Sequence, residues 1–193
     1  MQNVAAHYVG PNAIIQTLAS VGSLTGTENV APIMRRAFLL EPLDGWDEMV
    51  PVEQVNGLNK AVLDTLGADQ AATILHESGR RTGRYIIENR IPPLIKRLLG
   101  SLPRRLASRL LLQAIRKNAW TFAGKARVES GGNWICIHEN PLCLGRTGYG
   151  GCVWHESVFQ TLFQRIVGSE VHVHETRCMG RGDAYCRFEL SFG

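Results

Sequence analysis

The chain has 193 residues, enough for one good hydrophobic core or at most two small ones. Its composition is ordinary for a soluble globular protein. Met1 to Gly10 lacks the basic and apolar regions of a secretory signal, and no stretch approaches the ~18 uninterrupted apolar residues of a membrane span. The net charge of +4 hides an asymmetry: residues 89–128 hold ten Lys or Arg and no Asp or Glu, which leaves the rest of the chain at −6.

Taken in chain order, the first two thirds read as helical. Helices are predicted over Pro11–Ser23, Glu28–Leu40, a segment ending at Gly67, and Ala68–Asn89. Residues 41–51 carry turn signals and read as a loop. Pro92-Pro93 restarts the chain, and Pro103–Phe122 reads as one long basic amphipathic helix. After Gly124 the pattern changes. Ala126–Val128 and Trp134–His138 read as a hairpin around Ser130–Asn133, followed by a Gly-rich loop over 139–151. Cys152–Val167 reads as a helix, and Glu170–Arg177 and Ala184–Phe192 as strands joined by the turn Met179–Asp183. Helices followed by ββαββ define an α+β fold, with an antiparallel sheet covered by helices.

Five cysteines, an odd number crowded into residues 136–186, fit a disulfide framework poorly and a local metal site in a reducing compartment well. Cys178 and Cys186 flank a turn at even separation, so a regular hairpin puts them on one face. Glu175 lies three residues before Cys178 and joins it only if the strand ends or bends near Thr176. Cys152 enters at a helix N-terminus, whose positive end favours a thiolate. Three thiolates and one carboxylate close a tetrahedral zinc shell with no open position, which is the form of a structural site. Arg177, Arg181 and Arg187 are placed to offset its charge. Cys136-x-His138 offers alternative donors but reads as core or edge of a strand, Cys143 reads as a free thiol in the loop, and His155 as support behind the ligands. His172 and His174 share a strand face and read as a half-buried pair.

The pattern Cys152, Glu175-x-x-Cys178, Gly182-Asp-x-x-Cys186-x-Phe188 resembles the signature of the 4-vinyl reductase domain family, over about residues 60–193. In similar sensor domains of phenol-responsive bacterial activators the matching Cys, Glu, Cys and Cys bind a structural zinc. The resemblance implies an α/β sandwich related to vesicle-tethering subunits and haem-based nitric-oxide sensors. It also implies a homodimer made through the N-terminal helices, here residues 1–50, with 51–193 as the ligand-binding part of a single domain. Without an appended ATPase or DNA-binding domain, the chain resembles the members that act in bacteriochlorophyll biosynthesis.

The family name implies vinyl reduction, which needs a hydride or electron source. Gly145-Arg-Thr-Gly148-Tyr-Gly150-Gly151 lacks dinucleotide-binding spacing, because Val153 stands where the third glycine belongs. The cysteine spacing is not that of a ferredoxin. The favoured expectation is therefore a cytoplasmic or membrane-peripheral protein that binds a magnesium tetrapyrrole and passes it to other bacteriochlorophyll-pathway enzymes. A true 8-vinyl reductase and a small-molecule sensor or adaptor are the alternatives. A flat apolar macrocycle with carboxylate edges needs aromatic walls and cations. Tyr85, Trp120, Phe122 and Trp134, with Arg80, Arg81 and Arg84, are the candidates, and His76 is the candidate axial ligand to magnesium, in a cavity between the helices and the sheet. Gly79-x-x-x-Gly83 marks a close backbone approach. The basic block over 89–128 points to an anionic partner such as anionic lipid. Nucleic acid is disfavoured, because the block contains no recognisable reading motif.

Overall fold

The computed structural model describes residues 8–39, 48–143 and 152–193. Their elements are β1 (Tyr8–Val9), α1 (Asn12–Thr25), α2 (Val30–Arg36), β2 (Val50–Pro51), α3 (Val52–Leu66), α4 (Ala68–Asn89), α5 (Pro93–Ser101), α6 (Arg104–Lys117), α7 (Trp120–Ala123), β3 (Val128–Ser130), β4 (Trp134–His138), α8 (Val153–Ile166), β5 (Val171–Arg177) and β6 (Tyr185–Phe192). The α+β class and the ββαββ order stand. The glycine-rich motif 145–151 and most of the loop expected over 41–51 lie outside the described residues.

The sheet runs β3-β4-β6-β5, with every neighbouring pair antiparallel. After β4 the chain does not return beside it. Helix α8 carries it to the far edge, where β5 begins, and the β5–β6 hairpin then places β6 in the middle. Inward positions alternate: Ile135 and Ile137 on β4 stand opposite Phe188 and Cys186 on β6. They pack with Phe159 and Phe163 of α8 and with Leu111 and Leu112 of α6. The space expected to form a cavity between α8 and the sheet is occupied by the fully buried rings of Phe159, Phe163 and Phe188.

On its other side α8 meets α4. A Cβ on Gly79 would strike the Trp154 carbonyl oxygen, and one on Gly83 would lie 2.7 Å from Thr161 Cβ. The Gly79-x-x-x-Gly83 pair thus allows the two backbones to touch. Helix α4 then packs on α1, where Thr17 and Ser78 hydroxyls meet at 2.8 Å in a buried pair. A second core of Ile14, Leu18, Val21, Ile33, Leu58, Val62 and Ile74 fills the space among α1–α4, and Trp154 packs against both cores.

Three expected elements differ. The helix expected over Glu28–Leu40 is shorter, a 3-10 turn at Thr27–Asn29 and then α2, which ends before Phe38 at φ 57°. The helix expected over Pro103–Phe122 breaks after Lys117. Asn118 leaves helical geometry at φ −104°, ψ 15°, and α7 restarts at Trp120. The first sheet strand falls at Val128–Ser130, two residues later than the pattern of Ala126–Val128 suggests.

Gly83→Ala should lower stability by about 1–3 kcal/mol through overpacking against Thr161, even though alanine favours a helix by up to ~1 kcal/mol. Gly57→Ala in α3 is the control, since its Cβ would sit 3.7 Å from the Ala37 carbonyl in ordinary contact. Urea midpoints of the two variants should move in opposite directions or, for Gly57, hardly at all.

Candidate metal centre

The crossover that builds the sheet also builds the site. Cys152 is the residue before the first turn of α8, with φ −94° and ψ 55°. Cys178 directly follows β5 and Cys186 is the second residue of β6. Between them Met179–Arg181 form a 3-10 turn closed by Gly182 at φ 97°, a left-handed position suited to glycine. Asp183 locks this turn. Its Oδ2 accepts the Cys178 N–H at 2.7 Å, and its own N–H donates to the Cys178 carbonyl at 3.1 Å.

Four sulfurs meet here. Cys152 Sγ lies 3.4 Å from Cys186 Sγ and 3.7 Å from Cys178 Sγ, and Cys143 Sγ lies 3.6 Å from Cys178 Sγ. All four lie within 4.8 Å of one another. A tetrahedral shell with Zn–S near 2.3 Å sets sulfurs about 3.8 Å apart, so this spacing suits a zinc-sized ion. Three of the expected ligands, Cys152, Cys178 and Cys186, are therefore brought together. Cys143, expected as a free thiol, joins them. Its nine-residue separation from Cys152, close to the eight between Cys178 and Cys186, was the only hint in the sequence.

Glu175 is placed by a bulge. The β5–β6 register shifts between Glu175 and Arg177, so the strand bends at Thr176 as the donor geometry requires. The carboxylate Oε2 accepts the Cys152 N–H at 2.9 Å and the Arg181 Nη1 at 3.1 Å. Its Oε1 is buried with no hydrogen-bond partner among the described residues. Burial pushes the Glu175 pKa up to about 7, with the Cys152 amide opposing. Of the three arginines expected to balance the cluster, Arg181 does so. Arg177 instead lies over the Tyr185 ring at 5.5 Å, and Arg187 over the Trp134 ring at 4.6 Å, where it also pairs with Glu189.

Neutral donors supply what those arginines do not. Gly180 N–H donates to Cys143 Sγ at 3.1 Å, and Asn140 Nδ2 to Cys152 Sγ at 3.5 Å. Asn140 is fully buried and also orders its own loop, with Oδ1 accepting the Leu142 N–H. Nothing in the sequence marked it. The thiols share protons. Hydrogen bonds from Cys143, Cys152 and Cys178 drive the Cys186 pKa down, and those from Cys143 and Cys152 drive Cys178 down. Contacts with Cys143, Cys178 and Cys186 drive Cys152 up. A cation entering this set would displace the remaining protons.

Cys136-x-His138 does not reach the cluster. Ile137 is the residue opposite Cys186, so Cys136, opposite Arg187, points to the other face of β4. The His138 ring lies beside Glu129 and Tyr185. His172 and His174 are exposed and stacked, with centroids 6.4 Å apart. His155 is 2 % exposed, among Phe122, Trp154, Phe159 and Phe188, and its Nε2 has no partner among the described residues. Burial pushes its pKa down to about 4, against the Phe122 carbonyl and the Cys178 sulfur.

The expected ligand-binding residues are dispersed. Arg80 grips Glu77 through two bonds of 2.6 Å, Arg81 shares the same carboxylate at 2.8 Å, and Arg84 lies 4.0 Å away. His76 is exposed on α4, Tyr85 lies under Arg90, Trp134 is on β4, and Trp120 is 56 % exposed on α7.

The family model of the V4R domain matches residues 134–192, the stretch that holds β4, α8, the terminal hairpin and the cysteine cluster. The chain is 40 % identical over 189 residues to the bacteriochlorophyll synthase 23 kDa chain of Cereibacter sphaeroides, covering 96 % of this chain and 91 % of the relative. It is 37 % identical over 186 residues to the protein of the same description from Rhodobacter capsulatus, covering 94 % and 86 %. The protein thus belongs to the family of bacteriochlorophyll synthase 23 kDa chains.

His155 has a consequence for pH. Its folded pKa lies below the unfolded value of 6.5, so between pH 6.5 and about 4 the unfolded chain binds the proton first. Stability should therefore fall as pH drops through that window, by up to about 3 kcal/mol from this residue. In His155→Gln that component disappears, and the difference between wild-type and variant unfolding free energies at pH 7 and pH 4.5 measures it.

Proposed function

We propose that the protein acts in bacteriochlorophyll biosynthesis. It binds a magnesium tetrapyrrole of the divinyl protochlorophyllide or Mg-protoporphyrin type and carries or presents it to pathway enzymes. The observation that carries this reading is the near full-length match to 23 kDa chains described as part of bacteriochlorophyll synthase. The structure supports it through one of the expected residues in particular. Trp120 presents an exposed indole directly after the last turn of α6, where Arg116 and Lys117 are exposed. An apolar plate beside two cations suits an apolar macrocycle with carboxylate edges. The α4 arginines suit it less, because Glu77 already engages them.

The metal in this reading is zinc, and its role is structural. Cys152, Cys178 and Cys186 supply three thiolates. The residues offer two fourth donors, Cys143 Sγ and Glu175 Oε1. We favour Glu175, since its Oε1 is buried without a partner among the described residues and a bound ion would satisfy it. A filled shell leaves no position for substrate, so the ion's contribution is to tie α8 to the hairpin.

Metal analysis of purified protein should give one zinc per chain. Cys152→Ser, Cys178→Ser and Cys186→Ser should each lose it, Glu175→Gln should lower retention, and Cys143→Ser should keep it. The reverse order for the last two would make Cys143 the fourth ligand.

Titration with magnesium protoporphyrin should give a saturable Soret shift and quenching of tryptophan emission at micromolar ligand. Trp120→Ala should weaken binding about tenfold, which is ~1.4 kcal/mol. A linear, non-saturating titration would sink the tetrapyrrole reading.

A further inference from the structure

Nine large apolar side chains are strongly exposed among the described residues, and six of them fall between positions 94 and 120. Five lie on one helical hairpin. On α5, Leu94, Ile95 and Leu98 are 74 %, 42 % and 53 % exposed. On α6, Leu106 and Leu110 are 45 % and 39 % exposed. The spacing i, i+1, i+4 puts the first three on one face of α5, and i, i+4 puts the other two on one face of α6. Each helix is held to the body by its opposite side. Leu99 is the buried residue of α5, and Ala107, Leu111, Leu112 and Ile115 form the buried stripe of α6.

Cations are interleaved with these leucines. Arg97, Arg104, Arg105 and Arg109 are all exposed, beside Leu98, Leu106 and Leu110. No carboxylate occurs from residue 89 to residue 128, and among the described residues no cation from Arg90 to Lys125 makes an ion pair. Apolar and cationic residues mixed along short amphipathic helices are the chemistry of an element lying in the plane of a bilayer interface. A uniformly polar acidic surface would satisfy the arginines but leave the exposed leucines in water. Neither helix crosses a membrane: no described helix is long and apolar enough.

We propose that the α5–α6 hairpin docks the protein on an anionic lipid bilayer. Leu94, Ile95 and Leu98 enter the boundary between headgroups and acyl chains, and Arg97, Arg104, Arg105 and Arg109 meet the lipid phosphates. The inference stands independently of the tetrapyrrole reading, which rests on Trp120 and on the relatives.

The test is co-sedimentation of the full chain with vesicles of phosphatidylcholine alone or with 30 mol % phosphatidylglycerol, as an on-the-order-of composition for an anionic surface. Binding to the anionic vesicles should be at least about tenfold stronger and should fall severalfold between about 0.1 M and 0.5 M salt. Leu94→Ala/Leu98→Ala should weaken it about fivefold or more, and Arg97→Ala/Arg105→Ala should remove the preference for anionic lipid. All four positions are exposed, so the urea midpoint should not change. Equal binding to both vesicles overturns the proposal, as does binding unaffected by the leucine substitutions. It is also overturned if Leu94→Ala/Leu98→Ala converts a dimer to a monomer without changing vesicle binding, since a second copy of the chain would then be the occupant. Magnesium protoporphyrin titration of the same variants should be unchanged, which keeps the two readings separate.

Discussion

Cys152 sits where three constraints meet. Its amide is held by Glu175, its sulfur lies 3.4 Å from Cys186 and 3.7 Å from Cys178, and its carbonyl accepts the Glu156 N–H that opens α8. This residue therefore fixes where α8 starts relative to the β5–β6 hairpin. The position matters because α8 is the middle layer of the molecule. One side supplies Phe159 and Phe163 to the sheet, and the other offers Ser157 and Thr161 to the glycines of α4. A shift of α8 by a fraction of an ångström would be felt on both sides, since neither contact has room to spare. The order of layers from sheet to α8, α4 and α1 is anchored at the cluster.

The same helix protects the sheet's open edge. β5 is an edge strand, and its outward amides would invite another strand. Gln160 answers twice, donating to the Val171 carbonyl at 2.9 Å and accepting the Val173 N–H at 2.6 Å. Glu156 accepts the Glu175 N–H at 2.8 Å. Side chains one turn apart on α8 thus occupy the donors of β5 in sequence. The bulge at Thr176 then ends regular pairing just where Glu175 must turn toward Cys152.

Much of this was legible because local signals agreed with the tertiary outcome. Gly67 at φ 81° and the run to Asn89 fixed α4 at its expected bounds, and the alternation of Trp134–His138 fixed β4. The break at Asn118 was hidden, because Trp120 and Phe122 continue the apolar pattern of α6 while the backbone turns to let Thr121 accept the Gly10 amide. That contact belongs to the small β1–β2 sheet, two residues per strand, too short for any period to show. Cys143 escaped for a related reason: a loop thiol has no periodicity, and only the fold reveals what stands beside it. Glu77 stands three and four residues before Arg80 and Arg81 on a helix that the sequence marks, so its claim on those arginines was legible in the spacing.

The distribution of charge separates two tasks. The cysteine cluster concentrates negative charge, yet the basic block of residues 89–128 supplies it with no described ion pair. Arg181 from the hairpin itself, the Gly180 amide and the Asn140 side chain do that work at short range. Such local donors cost little, because they are fixed by the turn and the loop that carry the ligands. Arg97, Arg105 and Arg109 of the block face outward on helices that expose apolar side chains as well. Self-repulsion along α5 and α6 is a standing cost, which the proposed anionic bilayer would offset.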